Sequence, residues 1–240
     1  MFDKSVVLNM KLASNEFGFG LGITILGFLF MMIGGVMSFA ALACFLATLV
    51  FFVMGFVKLF YKSLFSNEAY LYMSLPISNL QVVLSKVFVG TLWLSLWVGL
   101  LLGSVLLFLA QNGSFLEALI GSLLIEGVPA EKIGALMVVL FWSYFLAMAL
   151  FSSTLLFAII FANTLRIQRF RIAVNFFTLL LAFAAGRGVL YVINKLLEQI
   201  LDSISHMFEI SLLSLAGTLA LLACFIFLSE RLITRRYNLS

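Results

Sequence analysis

From Phe17 to Val57 the chain carries no charged residue at all. A helix rises about 1.5 Å per residue, so roughly 20 apolar residues cross the ~30 Å hydrocarbon of a bilayer. The run is too long for one span and long enough for two, joined by a tight turn at Gly34-Gly35-Val36-Met37-Ser38. Charge-poor stretches of span length recur along the chain. With 64% hydrophobic and 10% charged residues in 240, against about 25% charged in a soluble domain, the sequence lacks the polar surface a water-soluble fold needs. The fold class expected is an all-α integral membrane protein with six transmembrane helices, at 17–36, 39–57, 81–109, 133–161, 172–192 and 210–228. No repeat or linker divides the chain, so residues 1–240 read as one membrane domain. The segment Met1 to Glu16 carries Asp3 and Glu16 and lacks the basic, apolar, small-residue order of a cleaved signal; it is expected to be retained.

Lysine and arginine placement orients the spans, because cytoplasmic loops near span ends hold the excess of these residues. With the N-terminus inside, the inner segments hold Lys4, Lys11, Lys58, Lys62, Lys86, Arg166, Arg169, Arg171, Arg231, Arg235 and Arg236, and the outer ones hold Lys132, Arg187 and Lys195. Both ends are therefore expected in the cytoplasm. The net charge of +4 is spent on this bias in short clusters, and no nucleic-acid partner is expected.

Several chemistries find no residues to carry them. His206 is the only histidine, and no Cys, His, Asp or Glu cluster has metal-ligand spacing. Cys44 and Cys224 lie inside apolar runs and read as packing residues rather than as a disulfide or metal pair. No phosphate-binding loop occurs and no inner segment is long enough for an ATPase, so the chain reads as no enzyme by itself and binds no cofactor. The clearest spans lack Asp, Glu, Lys and Arg in their central turns, unlike ion-coupled carriers. Arg187, in Gly186-Arg187-Gly188, sits roughly 22 Å up the fifth span at ~1.5 Å per residue. Snorkelling to the outer interface is its simpler role, and contact with an anionic substrate group the sharper one. Gly18 and Gly22 form a G-x-x-x-G pattern that permits close helix approach, and ordinary packing within the chain is the plainer use. Ser114 to Ile125 and Leu196 to Phe208 read as short amphipathic outer helices, either interfacial anchors or a cap over a path.

The inner segment Lys58 to Lys86, KLFYKSLFSNEAYLYMSLPISNLQVVLSK, is punctuated. Pro76 cannot donate a backbone hydrogen bond and disfavours helix just before it. Ser78 and Gln81 form a capping box that starts the third span. Upstream, Leu64, Tyr70, Leu71 and Leu75 beside Ser66, Asn67 and Glu68 suggest a short helix along the inner membrane face.

The order Leu64-Phe65, Glu68, Tyr70-Leu71, Leu75-Pro76-Ile77-Ser78, Leu84-Ser85-Lys86 resembles the inner loop of bacterial ABC type-2 exporter permeases, and the six-span plan extends the likeness over nearly the whole chain. The family often has Gly where this chain has Ala69. The resemblance implies that residues 62–78 form a cytoplasmic coupling helix docked in a groove of a separate ABC ATPase subunit, which binds the ATP and Mg. Glu68 would pair with a basic group there, and Leu64, Tyr70, Leu71, Tyr72, Leu75 and Pro76 would shape the contact. It also implies a short N-terminal helix on the inner face, here Asp3 to Asn15, and a second permease copy, identical or homologous, in a bacterial plasma membrane. The exporter would move an amphipathic or hydrophobic cargo, best a peptide toxin or antimicrobial peptide. The alternatives are a drug or lipid exporter subunit and a non-transporting membrane sensor or scaffold.

Overall fold

A computed structural model describes residues 2–33, 37–65, 78–111, 130–164 and 207–237, and every described element is helical. The helices are α1 (Phe2–Ile33), α2 (Met37–Phe56), α3 (Asn79–Gln111), α4 (Ala130–Thr164) and α5 (Met207–Tyr237). The end of α2 runs without a break through a π-helical segment (Val57–Lys62) into a last turn (Ser63–Phe65). Among the described residues, five helices are long and apolar enough to cross a membrane, and the protein is a multi-pass membrane protein. Large side chains on the outside, such as Phe39, Phe19, Phe141 and Leu46, are exposed, as expected where lipid rather than water is the neighbour.

α1 stops at Ile33 and α2 begins at Met37, and residues 34–36 of the expected turn lie outside the described residues. The capping box forms as read: the Ser78 amide donates to Gln81 Oε1 and the Gln81 amide to Ser78 Oγ, both at 3.3 Å. Two boundaries differ from expectation. The segment Asp3 to Asn15 is not a separate helix on the membrane face but the first half of α1. Its buried residues Ser5, Asn9, Ala13, Phe17, Gly20, Thr24 and Gly27 recur every three or four positions, one seam that crosses the expected boundary and keeps the helix whole. Likewise α2 does not stop at Val57, because Leu59, Phe60 and Leu64 turn inward and are almost fully buried.

Contacts fix the directions of the helices. Ser5 meets Ser85 and Phe17 stacks on Trp93, so α1 and α3 run parallel. The Lys58–Glu16 ion pair and the fit of Gly27 against Cys44 make α2 antiparallel to α1. Tyr144 donates to the Ser95 carbonyl and Ser152 to the Val87 carbonyl, so α4 is antiparallel to α3. Asn79 bonds Thr234, which sets the C-terminal end of α5 beside the start of α3. The first and last described residues therefore lie at one end of the bundle. That end also holds Lys4, Lys11, Lys58, Lys62, Lys86, Arg231, Arg235 and Arg236, whereas Lys132 lies at the other.

α1 is 32 residues long, about 48 Å, so it overreaches a ~30 Å hydrocarbon layer. Its charges Asp3, Lys4, Lys11 and Glu16 are all in the first half, so that half is the part projecting from the basic end. Here Leu59, Phe60, Leu64, Val82, Val83, Leu156 and Ile233 form a shared core.

Candidate functional site

Lys86, in the second turn of α3, has no exposed surface. An ammonium carries three protons, and here each finds an oxygen: Asn9 Oδ1 of α1 at 3.1 Å, the Leu59 carbonyl of the α2 tail at 3.0 Å, and Ser63 Oγ next to it. Local backbone geometry supplies one of the acceptors. In the π-helical segment the Ser63 amide reaches back to the Lys58 carbonyl, five residues away instead of the four of an α-helix. The Leu59 carbonyl is thereby released from that amide and accepts from Ser63 Oγ and Lys86 Nζ.

The network continues through the neighbouring residue. Ser85 Oγ donates to the Val82 carbonyl at 2.9 Å, which leaves its lone pairs to accept from Asn9 Nδ2 at 2.9 Å and from Ser5 Oγ at 2.8 Å. Since the single Ser85 proton is used, Ser5 is the donor in that contact. Ser5, Asn9, Ser63, Ser85 and Lys86 are each at most 1% exposed. Three helices thus meet in a buried polar cluster whose donors and acceptors are matched, the condition under which burying such groups is tolerated.

Above the cluster lies a layer of rings. Phe17 stacks on Trp93 with centroids 5.1 Å apart, and Phe52 stacks on Trp97 at 4.5 Å; Phe56 meets Phe17 edge-on. At the same level Lys58 Nζ and Glu16 Oε1 are 2.8 Å apart and partly exposed, which ties α2 to α1. At Gly90 of α3 an added Cβ would press on the Ser152 hydroxyl and lie 2.9 Å from the Phe60 ring, so only glycine lets α4 and the α2 tail approach α3 this closely.

Of the residues expected from the sequence to couple to an ATPase, Leu64 is described: it is 1% exposed, packed in the core at the root of the segment rather than on its surface. Glu68, Tyr70, Leu71, Tyr72, Leu75, Pro76 and Arg187 lie outside the described residues, as do the fifth span and the outer segment 114–125. Met207 and Phe208, expected at the end of an outer helix, open α5. Cys44 and Cys224 are free, and no group among the described residues is arranged to hold a metal. Gly18 and Gly22 have no neighbour near an added Cβ. Sequence reading missed the Lys86 cluster. The signal that could have found it is the polar pair Ser5 and Asn9 at i, i+4 on the same seam as Phe17, opposite a lysine adjoining a serine. Compared with family models, curated proteins and solved structures, the chain matches none.

Proposed function

We propose that this chain is the membrane permease subunit of an ATP-driven exporter, with the basic end of the bundle facing the cytoplasm. The observation that carries the reading is the position of the 66–77 connection, where the sequence resembles the ATPase-docking segment of ABC type-2 exporters. Its two roots, Phe65 and Ser78, leave the bundle at the end where the basic residues gather. Lysine and arginine there favour the cytoplasmic side, within reach of an ATPase. Six spans fit the directions of the helices. α4 finishes at the basic end and α5 starts at the opposite one, and the apolar run 172–192 in the sequence between them is long enough for a span.

Two such chains would line the path, and two ATPase subunits would drive it. Closing of the ATPase pair on ATP would push the docking segment and tilt the spans between two packed arrangements. Glu68 is assigned to a basic group on the ATPase and Tyr70, Leu71 and Tyr72 to its groove. The cargo proposed is an amphipathic peptide, by analogy with the family.

Reconstitution with the ATPase tests this. Glu68→Lys and Leu71→Asp should each abolish permease-stimulated ATP hydrolysis while leaving membrane insertion intact. Unchanged stimulation in both variants would overturn the assignment.

A further inference from the structure

We propose that Lys86 is the tie that makes α1 move as one body with the base of α3 and the tail of α2 when the segment between them is displaced. The inference rests on the permease reading and adds to it the route by which force reaches the first span.

A methionine or leucine would fill the volume of Lys86 without desolvating a charge. What an ammonium supplies instead is direction. From its place on α3 it holds a side chain of α1 and both a carbonyl and a hydroxyl of the α2 tail, whereas apolar contacts at the same place would let the helices slide. The place itself matters. Ser63 is two residues from Phe65, and Lys86 lies about 12 Å along α3 from Ser78 at ~1.5 Å per residue. One side chain on the helix that follows the 66–77 connection therefore holds both the α2 tail that leads into it and α1. The hydrogen bonds from α1 to α3 gather at this base, on Ser5 and Asn9. Higher up, the two helices part around a hollow of about 390 Å³ lined by Thr24, Ser95, Gly99 and Ser104 among others. A push on the connection meets α1 at this base, where the side-chain hydrogen bonds from α1 to α3 lie beside the Lys58–Glu16 pair that ties α1 to α2. Lys86 is in this sense a positioning residue: it acts through the helices it holds.

The test uses the full-length chain with Cys44→Ala and Cys224→Ala, reconstituted with the ATPase subunit that co-purifies with it. Lys86→Met should keep the ATPase bound yet lose permease-stimulated hydrolysis by about tenfold, the size of a typical coupling between sites. Adding Ser5→Cys and Ser85→Cys, whose hydroxyls are 2.8 Å apart, places a disulfide where the tie is missing. Oxidation should restore stimulation to the Lys86→Met chain, and dithiothreitol should remove it again, a reversal that a merely destabilised fold would not show. Unchanged stimulation in Lys86→Met, or no rescue on oxidation, would overturn the proposal. If Lys86→Met fails to fold, the same two cysteines beside the native Lys86 decide. The oxidised chain should stimulate at least as strongly as the reduced one, because α1 and α3 already travel together at this point, and loss on oxidation would overturn the tie. Failure of the wild-type chain to bind any ATPase would overturn the permease reading, and this inference with it.

Discussion

The lower and upper halves of the α1–α3 contact are built by different means. At the base, Ser5 and Asn9 reach across to Ser85 and Lys86. Higher up, Thr24 and Ser104 turn back to carbonyls of their own helices, at Gly20 and Leu101, and the helices separate around the hollow. Directional bonds between side chains fix register at a point. Apolar packing in lipid has no hydrophobic drive and tolerates sliding. Between α1 and α3 the specific contacts thus sit at the basic end, whereas higher up the directional bonds run to other neighbours, from Thr24 to Thr48 of α2 and from Tyr144 of α4 to the Ser95 carbonyl.

That contrast can be broken most severely at Lys86. Lys86→Ala leaves Asn9 Oδ1 without its charged donor and opens a cavity, so it should cost on the order of 3 kcal/mol, read as a lower melting temperature in detergent. A cost below ~1 kcal/mol would mean the cluster is not what holds the base. The next effect comes from two glycines of the same helix. Gly90→Ala meets Ser152 and Phe60 and should cost about 1–3 kcal/mol, whereas Gly103, where an added Cβ touches nothing, should accept alanine with no loss or a gain of up to ~1 kcal/mol from helix propensity. Equal costs at the two positions would remove the distinction between a tight base and an open upper half.

Two serines sharpen it further. Ser85→Ala removes the acceptor of Asn9 and the partner of Ser5 and should cost about 1–2 kcal/mol. Ser95 Oγ is buried with no hydrogen-bond partner, so Ser95→Ala should change stability by less than ~0.5 kcal/mol. A modest, salt-sensitive loss is expected at the partly exposed Lys58–Glu16 pair, where Glu16→Gln should cost about 0.5–1 kcal/mol and less as salt rises. Chemical or thermal unfolding of the same preparation at two salt concentrations reads this difference.

The spans among the described residues were legible because an uncharged run of membrane length admits few alternatives, and the Ser78/Gln81 box was legible because both of its partners lie within one turn. The continuity of α1 was not. Asp3, Lys4, Lys11 and Glu16 give its first half the look of a surface helix, and only the spacing of Ser5, Asn9, Ala13 and Phe17 betrays a buried seam. Lys58 and Lys62 in the same way suggested the end of α2, although the residues between and after them face the core. Burial of Lys86 was hidden for a deeper reason. Its acceptors come from residues 77, 27 and 23 positions away, and one of them, the Leu59 carbonyl, sits in a stretch where the backbone takes a π-helical register. A lysine at the foot of a span otherwise reads as one more positive charge facing the cytoplasm.

The orientation of the basic end decides the rest, since an ATPase can reach residues 66–77 only from the cytoplasm. In a chain lacking Cys44 and Cys224, cysteines introduced by Asn67→Cys and Asn112→Cys should differ in labelling by a membrane-impermeant maleimide added to cells. Asn67→Cys is expected to react only after the membrane is permeabilised, and Asn112→Cys to react without permeabilisation. Labelling of Asn67→Cys from outside would place the basic end away from ATP and contradict the permease reading at its root.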